Sequence, residues 1–159
     1  MAKTAKSGKT IDPKVVAAQV EGFIDKFEPA MAAQIRAIRK ALRKRFPTAI
    51  ELVYDNYNFF VIGYCARERS SDCIVSLAAN SKGVGLSFYY GADIDDPYGI
   101  LQGSGTQNRF LRLKGPETLS DPQVCDLIDR AVANAGTPPP EEKGYTVVRS
   151  ISEKQRPRR

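Results

Sequence analysis

The residues best suited to chemistry lie between Asp93 and Arg109. Gly103-Ser104-Gly105-Thr106 has the composition of a backbone-amide nest for an anion, with Arg109 following as counter-charge. It lacks the G-x-x-x-x-G-K-[ST] pattern of a phosphate loop and precedes a strand, so a plain turn needing positive φ explains the glycines equally well. Asp93, Asp95 and Asp96 carry hard oxygen donors, but their spacing is not that of a calcium-binding loop. Before Pro97 they fit turn and capping roles, or an ion pair with Arg109. Tyr54, Tyr57, Tyr64, Tyr89, Tyr90 and Tyr98 concentrate in the same half of the chain. With apolar bodies and polar tips they can line a groove or interface, or simply pack the sheet; on the first reading Tyr54 and Tyr90 join Gly103, Gly105, Thr106 and Arg109 as candidate ligand contacts.

Absences narrow the chemistry further. The 159 residues contain no histidine, which removes every Ser-His and Cys-His nucleophile arrangement. No nucleophile–base pair or cofactor motif is visible, so no catalytic residue, metal ligand or cofactor is assigned, and the chain leans away from being an enzyme. Cys65, Cys73 and Cys125 show no metal-ligand spacing. Cys65 and Cys73 stand at the ends of a hairpin as reduced, buried thiols, with a redox pair as the alternative. No apolar run is long enough for a membrane span, and residues 1–10 lack a signal-peptide core, so a cytoplasmic protein is expected.

The formal charge is +6. Lys3, Lys6 and Lys9 supply half of it. Lys143, Arg149, Lys154, Arg156, Arg158 and Arg159, set against Glu141, Glu142 and Glu153, supply the rest, and residues 11–136 sum to zero. Weak, salt-sensitive and non-specific contact with nucleic acid is therefore expected from the ends. A second polyanion candidate is the cationic run Arg36, Arg39, Lys40, Arg43, Lys44 and Arg45, of which Arg36, Lys40, Arg43 and Lys44 would be the contacts. The alternative is the solvated side of an amphipathic helix.

The elements that must position these groups follow from periodicity. Asp12-Pro13 starts a helix with Val16, Val20, Phe23 and Phe27 on one face. A second helix spans about residues 30–45, with Met31, Ile35, Ile38, Leu42 and Phe46 as its apolar stripe. After Pro47 the period falls to about two, predicting strands near residues 49–54, 59–66, 73–79, 84–89 and 109–113. A last helix over about residues 121–135 is capped by Ser120 or Asp121. Short connections make the strands antiparallel. The expectation is an α+β two-layer domain over residues 11–136, its helices on one face of an antiparallel sheet. Residues 1–10 form a disordered basic tail, and residues 137–159 a proline-rich linker with a basic tail, in which residues 145–151 could pair with a sheet edge. Phe23, Ile35, Leu42, Leu77, Leu86, Leu111 and Ile128 should be buried together.

Leu86-Ser87-Phe88, Gly91-Ala92, Asp96-Pro97, Gly99, Leu101, Gly103, Gly105, Arg109 and Arg112-Leu113 together resemble the YdhG-like family of unknown function, some of whose members are labelled frataxin-like iron chaperones. The resemblance covers about residues 15–135. It implies the same element order, and it adds Glu51, which stands where the family commonly carries a glutamate in its first strand. Thr106 and Phe110 stand where many relatives carry a basic residue and a histidine. The function expected from the whole is non-catalytic binding of a small ligand or protein partner through the sheet face and glycine-rich loop. The alternatives are the iron-chaperone role and the weak nucleic-acid association.

Overall fold

The computed structural model describes residues 11–159; the expected N-terminal tail lies outside them. Helix α1, Pro13–Ile24, begins where Asp12 accepts a hydrogen bond from the Lys14 amide. Pro29 opens α2, Pro29–Arg45. Five strands follow: β1 Ile50–Asp55, β2 Phe60–Cys65, β3 Cys73–Asn80, β4 Gly83–Phe88 and β5 Arg109–Leu113. Asp121 then caps α3, Pro122–Asn134, by accepting from the Gln123 amide. The last strand is β6, Thr146–Ile151.

The sheet order is β5-β4-β3-β2-β1-β6. Neighbours from β1 to β5 are antiparallel, whereas β6 lies parallel to β1. The architecture is the expected α+β, with a mixed rather than purely antiparallel sheet. The C-terminal segment makes the difference: the edge pairing open to residues 145–151 forms, so the linker and tail expected beyond residue 136 are corrected there to include a strand of the sheet. Val147 and Val148 alternate onto opposite sheet faces, and the strand takes up the free edge of β1.

One face of the sheet carries all three helices. Val53, Ile62, Leu77, Leu86 and Leu111 point into the core from the strands, and meet Val20 of α1, Ile35 and Leu42 of α2 and Ile128 of α3. All seven expected core residues are buried. Burying an aliphatic or aromatic side chain of this size contributes about 1.5–3 kcal/mol, enough to make this face the principal stabilising layer. Among the described residues no helix lies on the opposite face; its β1–β2 end is nevertheless covered, with Ile50, Leu52, Cys65 and Cys73 buried there, and only the part toward β5 is open. Because side chains alternate with period two, every inward leucine or valine obliges an outward neighbour. Among the described residues no helix is long and apolar enough to cross a membrane.

Candidate functional site: the open face of the sheet

Strand register determines what the helix-free face presents. One cross-strand row runs Arg112, Gly85, Ala78, Val61, Tyr54, from β5 to β1. The adjacent row runs Phe110, Ser87, Ser76, Gly63, Leu52. Small residues thus occupy the middle of the face and larger ones stand at its sides. The result is a trough of about 360 Å³, floored by Gly85, Ala78 and Ser87 and walled by Phe59 and Val61 on one side and Phe110 and Arg112 on the other. Phe59 is 43% exposed and Phe110 41%, high for phenylalanine in a domain with a full core. Exposed apolar residues are unremarkable when scattered, but these two flank one depression.

The side-chain groups of the trough left for a ligand include amide and guanidinium donors. Asn80 Oδ1 accepts from the Lys82 amide at 2.9 Å, and Asn108 Oδ1 accepts from the Ser87 hydroxyl at 2.6 Å. Both side-chain amides keep their Nδ2 groups free of partners among the described residues. Arg112 is the one ionised residue of the lining and makes no ion pair among the described residues. At the far end of its row, burial pushes the Tyr54 phenol up, while Arg149 beside it pulls the other way.

Two larger concavities are of a different kind. One of about 640 Å³ is an open seam along the last residues, lined by Lys26, Gln155, Arg156 and Arg158. The other, about 600 Å³, lies between α2, the turn Pro116–Ser120 and α3, where the exposed Cys125 thiol donates to the Leu119 carbonyl. Neither shows exposed aromatic walls.

The expected ligand residues do not share one site. Glu51 is buried beneath α2 on the helix-bearing face. The Arg39 guanidinium forks onto its carboxylate at 2.9 and 3.1 Å, and the Tyr64 and Thr146 hydroxyls donate at 2.8 and 2.7 Å. Burial alone would raise Glu51, yet these donors outweigh it and hold the carboxyl below its ordinary value. Tyr64, buried against that carboxylate, is pushed well up. Tyr54 lies on the open face, whereas the Tyr90 hydroxyl donates to the Ser71 carbonyl.

Arg109 donates to the carbonyls of Gly105 and Asn108 at 2.6 and 2.8 Å. It pins its own loop and forms no ion pair with Asp93, Asp95 or Asp96 among the described residues, so the expected pairing is corrected. Gly103, at φ 114°, needs the glycine conformation for a turn, and Gly103 to Thr106 are solvent-exposed. The loop does reach the trough through Asn108 and through Gly103, beside which the Phe110 ring lies.

The cations of α2 are also largely committed. Arg36 pairs with Glu21 and Asp25 of the α1 segment, at 2.7 and 2.5 Å. Arg43 donates to the Phe46 and Ala49 carbonyls, and Arg45 pairs with Asp129 of α3. Lys40 and Lys44 stay exposed. The run fastens α2 to its neighbours, so it does not form a continuous free cationic face.

Cys65 and Cys73 are joined by a disulfide bond, which corrects the expectation of reduced thiols. A register irregularity between Tyr64 and Cys65 sets them opposite one another, with Cα atoms 3.9 Å apart. Among the described residues no group of three or more His, Cys, Asp or Glu side chains is placed to hold a metal ion.

Phe59, Phe110, Arg112, Asn80 and Asn108 are functional candidates that residue type and motif do not single out. Their signal is in the alternation of RFLRL and GVGLSF: inward Leu111, Leu113, Val84, Leu86 and Phe88 oblige outward Phe110, Arg112, Gly83, Gly85 and Ser87. No family model, no curated protein and no solved structure matches this chain.

Proposed function

We propose that the protein is a non-catalytic ligand-binding domain whose site is the open-face trough. The observation that carries this reading is the pairing of Phe59 and Phe110 across a floor of glycine, alanine and serine, with Arg112 the one ionised group of the lining. A flat apolar ligand buries surface against the two rings, and an acidic or carbonyl group on it meets Arg112 and the Asn80 and Asn108 amides. The trough offers no nucleophile–base pair, which favours binding over turnover.

The YdhG-like resemblance belongs to the same proposal, supported by the shared order of two helices, a sheet and a helix. The iron-chaperone role that it implies is the alternative, and no arrangement of the described residues favours it. The Cys65–Cys73 disulfide weighs against a reduced cytoplasmic setting, since such bonds persist mainly in oxidising compartments.

Anilinonaphthalene sulfonate, a flat aromatic anion, is a suitable probe. Its fluorescence should rise on binding the native protein. Phe110→Ala should weaken that binding about tenfold, the scale of a lost aromatic contact of roughly 1.4 kcal/mol. Ala78→Glu, which fills the floor and repels the anion, should abolish it. Binding unchanged in both variants would refute the trough as the site.

A further inference from the structure

We infer that the occupant of the trough is single-stranded nucleic acid, with bases stacked on Phe59 and Phe110 and phosphate held by Arg112. This rests on the ligand-binding reading above and adds the chemical class. The strand positions that face away from the helices include Tyr54, Phe110, Arg112 and Arg149, and not one is Asp or Glu. The carboxylates of β1, Glu51 and Asp55, both point to the helix side and are buried there. A chain with a charge of +6 thus presents a sheet face bearing cations and aromatic rings and no acid on its strands.

That combination suits a polyanion with exposed π-faces. Stacking on aromatic side chains is open to any unpaired base, and a cation beside one ring, on the same wall of the trough, is placed to meet the backbone. The free Nδ2 groups of Asn80 and Asn108 are donors suited to base carbonyls or phosphate oxygens. A duplex fits poorly. Its bases are already stacked, and reading its grooves needs a protruding helix or ribbon, whereas this face is concave. Nucleic-acid contact is thereby moved from α2, whose arginines are engaged with Glu21, Asp25, Glu51 and Asp129, to the opposite face of the molecule.

The test is fluorescence anisotropy of the full chain with a short fluorescein-labelled single-stranded RNA of mixed sequence, across a salt series, beside a duplex of the same length. Every variant keeps the basic ends, so their sequence-independent attraction cancels in the comparison. Phe59→Ala and Phe110→Ala should each weaken single-strand binding about tenfold with the salt slope unchanged. Arg112→Ala should weaken it and lower the slope by about 0.7, the loss of one phosphate contact. A Lys40→Ala/Lys44→Ala double variant should bind as the native chain does, and the duplex should bind less well than the single strand. Circular dichroism of each variant confirms that it is folded. Equal binding by Phe59→Ala, Phe110→Ala and the native chain, or a duplex that binds as well as the single strand, overturns the inference. If the naphthalene sulfonate probe still occupies the trough in that case, the ligand-binding reading stands and only the ligand class falls. If the probe also ignores the trough, both fall together.

Discussion

Asp55→Ala is expected to lower the free energy of unfolding by about 3–5 kcal/mol, the scale of removing one partner from a buried ion pair. Asp55 is completely buried at the end of β1. It accepts from Lys26 Nζ at 2.6 Å and from Arg158 Nη2 at 2.9 Å, and the Arg158 side chain is itself only 2% exposed. Among the described residues no other carboxylate pairs with Arg158: Nη2 also meets the Asn56 carbonyl, Nε and Nη1 have no hydrogen-bond partner, and the guanidinium lies over the Phe27 ring. Removing the carboxylate strands a buried cation. The backbone bonds from Ser152 to the Asp55 carbonyl and from Arg156 to the Tyr57 carbonyl should loosen with it. Truncation after residue 151 should also destabilise, though less, because Lys26 still serves Asp55. Urea unfolding at neutral pH measures both. A change below about 1 kcal/mol for Asp55→Ala, the level of an exposed pair, would mean that the C-terminal segment is not fastened as described.

The second large effect is at Glu51, which ties α2, β2 and β6 to one carboxylate. Glu51→Ala should cost about 3 kcal/mol, since it leaves the buried Tyr64 hydroxyl without its acceptor and frees the Arg39 fork from its anchor. Its pH dependence has a definite sign. Burial raises Asp55, as it does Glu51, but hydrogen bonds from Lys26, Arg158 and Gln155 outweigh it and hold Asp55 below its ordinary value. A depressed carboxyl contributes stability that is fully present above its unfolded-state pKa, about 4 for these groups, and is lost as pH falls through the folded value. The unfolding free energy should therefore be level near neutrality and fall steeply below about pH 4. Glu51→Gln should start lower and lose less between neutral and acidic pH. A native chain whose stability is indifferent to that interval would contradict the network.

How much of this is legible in the sequence depends on how local the signal is. Asp12-Pro13 and Asp121-Pro122 mark helix starts within a few residues, and both caps are formed. Alternation locates five strands to within about two residues, because each buries one face. The sixth strand has a strand-like composition, but Pro138-Pro139-Pro140 set it apart from the rest of the domain. Its docking depends on partners far back in the chain: Thr146 on Glu51 and Arg158 on Asp55, 95 and 103 residues away. The same limit applies to α2. A helical wheel separates charged from apolar positions, but it does not show that Arg39 and Arg43 reach over the end of β1 while Arg36 turns to α1. The site escapes the sequence for a related reason. Glycines and tyrosines attract attention as residue types, whereas the trough arises from register, which sets Arg112, Gly85, Ala78, Val61 and Tyr54 in one row only once the strands are paired.

The most direct test of the trough is residue-resolved. In a titration of the labelled protein with anilinonaphthalene sulfonate, followed by backbone amide chemical-shift changes in two-dimensional NMR, the largest shifts should fall on Val61, Ala78, Gly85, Ser87, Asn108 and Phe110. Glu51 and the α2 residues, on the other side of the sheet, should stay near their free positions. Shifts centred on α2, on the concavity beside Cys125 or on the C-terminal residues, with the open face silent, would contradict the account.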